Sequence, residues 1–132
     1  MIAVFDSNIF ISALVFPRGQ AELALFRILD GSDTLVLSKA ILDEVLGTLA
    51  RKFSRDPEAL SQTAVLLAEM AEMVKPVRKI GVFKDDPDNR VLECAEAGQA
   101  ECIVTEDKVM LQLKQYGNIR LVSLREYLTS GL

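Results

Sequence analysis

Ile2-Ala3-Val4-Phe5-Asp6-Ser7-Asn8 decides the reading: four apolar residues run directly into three polar ones. A short continuous apolar run closed by turn-type residues reads as a strand buried on both faces, the habit of a parallel sheet. Asp6 then falls at the strand's C-terminal end, where open parallel sheets bind their ligands. The pattern recurs. Asp33-Thr34-Leu35-Val36-Leu37 ends in Ser38, and Cys102-Ile103-Val104 ends in Thr105-Glu106-Asp107. In a parallel sheet these polar ends share one rim with the N-termini of the helices that follow.

The intervening stretches alternate with the strands. Residues 9–16 are apolar with a helical alternative, open to capping by Ser7 or Asn8, and Pro17-Arg18-Gly19-Gln20 breaks them. A helix over 20–30 ends at Gly31, a candidate C′ glycine. Ser38 caps a helix running to about Phe53, with Ile41, Leu42, Val45, Leu46, Leu49 and Phe53 as its apolar stripe. Asp56-Pro57 opens the next helix, which ends before Pro76. Val77–Phe83 reads as a weak strand or a loop. Asp86-Pro87 matches the N-cap and first position of a helix ending at Gly98. After the third strand come a short helix around residues 109–113, a turn at Tyr116-Gly117-Asn118, a strand over Ile119–Val122 and a terminal helix capped by Ser123. The expectation is an α/β fold, a mainly parallel sheet covered on both faces, in a single domain spanning residues 1–132.

Composition narrows the chemistry. The 132 residues contain no histidine and two cysteines. That removes His-based zinc sites, His general bases and the Ser-His-Asp triad. Cys94 and Cys102 lack metal-type spacing and read as buried free thiols of a reducing, cytoplasmic compartment. No apolar run approaches a membrane span, and no leader pattern precedes the first strand. A metal, if held, is held by oxygen, which points to magnesium or manganese. The formal charge of −4 argues against gripping nucleic acid by phosphate neutralisation alone.

Four carboxylates stand out. Asp6 ends the first strand. In the helix after Ser38, Asp43 has Lys39 one turn back, whereas Glu44 has no opposite charge and lies beside the apolar stripe, so Glu44 is the better ligand candidate. With Asp86 assigned to capping, Asp88 is left in the first turn without a local partner. Local grounds separate Asp107 from Glu106 only slightly, in favour of Asp107. Four acids at one rim repel each other until a divalent cation joins them, and carboxylate-held metals serve phosphoryl chemistry.

Asp6-Ser7-Asn8 after an N-terminal strand, Leu37-Ser38 with Glu44 in the next helix, Asp88-Asn89-x-x-Leu92-x-x-Ala95, and Val104-Thr105-x-Asp107 together resemble the PIN domain. The likeness runs along essentially the whole chain and is greatest to toxin components of prokaryotic toxin–antitoxin pairs. The resemblance implies a three-layer α/β/α sandwich and a magnesium- or manganese-dependent ribonuclease. It implies that Asp6, Glu44, Asp88 and Asp107 are the acidic catalytic and metal-holding positions, with Asn8 and Thr105 as supporting polar residues. It also implies a homodimer and a cognate antitoxin covering the site. Arg18, Lys84, Arg90 and Lys108 are candidates to meet RNA phosphates. The family's usual glycine between Thr105 and Asp107 is here Glu106, which costs energy if the backbone needs a glycine conformation and adds negative charge near a phosphate path. A PIN-like RNA-binding or protein-interaction module with weak or no turnover is the rival expectation. An aspartyl-phosphate phosphatase also opens with a strand and Asp, but expects a second Asp where Asn8 stands.

Overall fold

The computed structural model describes residues 1–129. Its sheet comprises β1 (Ile2–Phe5), β2 (Thr34–Leu37), β3 (Glu72–Met73), β4 (Cys102–Val104), β5 (Gln115–Tyr116) and β6 (Ile119–Val122), in the order β3-β2-β1-β4-β6-β5. Every pairing is parallel except β5 against β6. The helices are α1 (Ser7–Val15), α2 (Gln20–Leu29), α3 (Lys39–Phe53), α4 (Pro57–Met70), α5 (Asp86–Ala97), α6 (Lys108–Leu113) and α7 (Leu124–Thr129).

The strand order explains where a site can form. From β1 the chain steps outward through α1 and α2 to β2, then through α3 and α4 to β3. It returns through α5 to β4, on the other side of β1. Right-handed crossovers place helices of opposite travel on opposite faces, which makes three layers. β1 and β4 are therefore the strands between which the winding reverses, the switch point at which such sheets open a crevice. Phe5 pairs with Val104, so Asp6 and Thr105 leave the sheet level with each other. Asp6 N–H still bonds Val104 O at 3.0 Å, and Thr105 N–H bonds Val122 O at 3.0 Å.

β1, β2 and β4 bury nearly every side chain, as continuous apolar runs require. α5 packs across β1, β2 and β4. Its C-cap, Gly98, lies so close to β2 that an added Cβ would stand 2.6 Å from Val36 Cγ1. At the opposite rim, buried Asp33 takes an ion pair from Arg27 Nε (3.0 Å) and a hydrogen bond from Tyr127 OH. Arg27 also stacks 4.7 Å over the Tyr127 ring, joining α2, β2 and α7.

Most boundaries agree with the sequence reading. Ser38 accepts from Ile41 N–H and Asp56 from Ala59 N–H, as N-caps do. Gly31 sits at φ +83° past α2. Four expectations need correction. α1 begins at Ser7 with Asp6 in the N-cap position, not Ser7 or Asn8. Of the two alternatives for Val77–Phe83 the loop is the one found; what changes is that a short strand lies earlier, at Glu72–Met73. β5 was not foreseen: two residues flanking a turn carry no alternation to read. Asp85, not Asp86, stands at the N-cap position of α5, which moves Asp86 into the helix and Pro87 to its second position. Among the described residues, no single helix is long and apolar enough to cross a membrane.

Candidate active site

Asp6 stands where β1 becomes α1. Its side chain makes no cap hydrogen bond. Instead Oδ2 accepts from Thr105 Oγ1 at 2.9 Å, and Oδ1 faces Ser7 Oγ at 3.5 Å. Only 5% of Asp6 is exposed. Burial pushes its pKa up and the Asp107 charge adds to the rise, while the Thr105 and Ser7 bonds hold it back.

Thr105, fully buried, links two acids. Its hydroxyl donates to Asp6 and accepts the Asp107 N–H at 3.1 Å. Asp107 is the N-cap of α6: Oδ1 accepts from Val109 N–H (2.8 Å) and Met110 N–H (3.0 Å). The second oxygen, Oδ2, is left for the site. Glu106, between them, is exposed and is not among the residues with positive φ, so glutamate carries no left-handed strain there.

Glu44 and Asp43 separate as their neighbours suggest. Asp43 is exposed and bonds Lys39 Nζ at 2.7 Å. Glu44 is half-buried; burial raises its pKa first, then the charges of Asp6 and Asp85, with the Ser7 hydroxyl and Arg51 opposing. Ser7 therefore faces both Asp6 and Glu44. Sequence reasoning treated Ser7 as a cap, although its place directly after Asp6 and its 4% exposure mark it as part of the site.

Asp88 lies in the first turn of α5, its N–H bonded to Asp85 O at 3.1 Å. Its pKa is pushed up to about 7, by burial first and then by Asp107, Asp85, Asp6 and Glu44. The other three expected acids thus act on Asp88 at one rim. A fifth, Asp85, joins them. It was passed over because it adjoins Asp86, the assumed cap. Its side chain caps nothing, and with Lys84, Asp88, Asp107 and Val109 it lines an open cleft of about 560 Å³.

Asn89 fixes this loop. Its amide accepts from Phe83 N–H at 2.7 Å and donates to Phe83 O at 2.8 Å. Asp86 points away, exposed, accepting from Asn89 and Arg90. Arg90 also pairs with buried Glu93 at 2.9 Å, and Glu93 accepts the Ile80 N–H. Arg90 is therefore engaged in holding loop to helix. Of the other expected cations, Lys84 lines the cleft and Lys108 follows Asp107 directly. Arg18 stands beyond the far end of α1, roughly 13 Å of helix from Asp6. Asn8 is exposed in the first turn of α1.

The donor set suits a hard divalent ion: all oxygens, mutually repelling, with both cysteines buried elsewhere. Among the described residues no three acids already form a group able to hold an ion, so the arrangement is open.

Comparison with known proteins agrees with this architecture. An uncharacterised Methanocaldococcus jannaschii protein, MJ1680, is 27% identical over 115 residues, covering 84% of this chain and 74% of the relative. The VapBC2 structure from Rickettsia felis, bound to a DNA fragment from its promoter, superposes with a TM-score of 0.67 at 17% identity, over 93% of this chain and 98% of the other. VapBC-1 from nontypeable Haemophilus influenzae superposes with a TM-score of 0.64 at 17% identity, over 95% and 99%. Residues 3–109 match the PIN domain family, and with its winding and its acids at the switch point the chain belongs to that family.

Proposed function

We propose that this protein is a metal-dependent endoribonuclease that hydrolyses phosphodiester bonds of single-stranded RNA, and that it is the toxin of a toxin–antitoxin pair in the cytoplasm. The observation carrying this reading is the common field of Asp6, Glu44, Asp88 and Asp107 at one rim, in a family whose members are generally nucleases. Asp6, Asp88 and Asp107 would hold magnesium or manganese, with Glu44 holding a second ion or orienting water. Such an ion supplies a nucleophile from water at neutral pH and charge for the leaving oxygen. The protein's own part is positional. Thr105 fixes Asp6 against Asp107, Ser7 keeps Asp6 and Glu44 in register, and Asn89 sets the loop carrying Lys84 and Asp85. Lys84 and Lys108 offer charge to the phosphates. An antitoxin partner is proposed because both VapBC structures hold a chain of this fold in such a pair; a homodimer is proposed from the family likeness.

The test is cleavage of single-stranded RNA in manganese by the parent and by Asp6→Asn. Loss of cleavage in the variant supports the reading, and equal activity removes it. The open arrangement of the acids favours a second reading, a PIN-fold module with little turnover. Manganese titration by calorimetry separates the two, since the nuclease binds the ion and a dead module does not.

A further inference from the structure

Gly47 occupies the interior of α3, where glycine weakens a helix. A Cβ there would stand 2.9 Å from Nη1 of Arg51. The Arg51 guanidinium therefore lies back over the gap that the missing side chain leaves. Glu44, Gly47 and Arg51 fall on one helix face, three and then four residues apart. Side chains on a helix lean toward its N-terminus, and the N-terminus of α3 is at the acidic rim. Arg51 is the one cation among the charges acting most on Glu44. Among the described residues, no carboxylate lies within salt-bridge distance of it. A planar guanidinium, aimed at an acidic nuclease rim and unpaired, has its donors free for a phosphate.

We infer that Arg51 is a substrate-binding residue whose guanidinium, laid over Gly47, takes a backbone phosphate of the RNA on the Glu44 side of the acids. The inference rests on the nuclease reading above, and it assigns Gly47 a purpose: a side chain there would push the guanidinium from this position.

Binding of a short fluorescent single-stranded RNA, followed by anisotropy in calcium across a salt series, tests the contact without depending on cleavage. Arg51→Ala is expected to bind about five- to tenfold more weakly, and its slope of log K against log salt to fall by about 0.7, one phosphate contact on a single strand. Arg51→Lys keeps the slope and loses less affinity. Gly47→Ala, which displaces the guanidinium without removing it, weakens binding by about twofold, less than Arg51→Ala, while its melting temperature rises. Unchanged affinity and slope in Arg51→Ala overturn the inference and leave the nuclease reading to the cleavage assay. Parent-like binding by Gly47→Ala overturns the role of the gap. A parent that neither binds nor cleaves RNA overturns both readings, whereas one that cleaves with no effect of Arg51→Ala on slope overturns only this one.

Discussion

Removing the charge of Asp88 should make the metal-free protein more stable at neutral pH. With a carboxyl pushed from 3.8 to about 7, the folded state binds the proton more tightly than the unfolded state. Stability is then lost as pH rises from about 4 through 7, and the cost is complete above that. The shift of roughly three units sets a ceiling of about 4 kcal/mol. Asp88 is substantially solvated, and screening reduces this to about 1–2 kcal/mol. The aspartate also gains about 0.3–1 kcal/mol from the α5 dipole, which asparagine forfeits. The net gain for Asp88→Asn is about 1 kcal/mol, or about 3–5 °C in melting temperature for a chain of this size. The assay is thermal melting in chelator at several pH values. The variant should melt above the parent at pH 8, with the difference closing toward pH 4. Manganese should then raise the parent more than the variant, since an ion at a hundred times its dissociation constant adds about 2.7 kcal/mol. A variant melting below the parent at pH 8, or a difference independent of pH, would refute the reasoning.

Thr105→Val keeps the shape but removes the hydroxyl between Asp6 and the Asp107 N–H. It should cost about 1–3 kcal/mol by denaturant titration and weaken manganese binding in calorimetry. Asp33→Ala leaves Arg27 and the Tyr127 hydroxyl without their partner, and should cost about 3 kcal/mol in urea unfolding while RNA cleavage per folded molecule is unchanged. Asp86→Ala should cost about 0.5 kcal/mol, because Asp86 holds an exposed pair with Arg90 and one long hydrogen bond from Asn89. Asp56→Ala, which removes a true cap, should cost about 1 kcal/mol, and melts of the two side by side check the order.

The parallel strands were legible because burial on both faces writes them as unbroken apolar runs, and the caps at Ser38 and Asp56 because one hydroxyl or carboxylate serves a fixed local geometry. Glu44 could be told from Asp43 by a neighbouring lysine alone. The register of a cap is harder. Asp85, Asp86 and Asp88 are chemically alike, and the choice among them follows from Asn89 clamping Phe83, a contact no local rule announces. Arg90 looked available for phosphate, yet Glu93 is buried behind it and needs its charge. Ser7 was missed because it faces Glu44 across elements, where spacing along the chain says little.

The hydroxyl of Thr105 meets Asp6 across 99 positions of sequence. Chain emerging from a ribosome carries Asp6 and Glu44 well before the strand that completes them. Until β4 slides in beside β1, the early acids lack both their brace and Asp107, so the rim is complete only when the last quarter of the chain has joined the sheet.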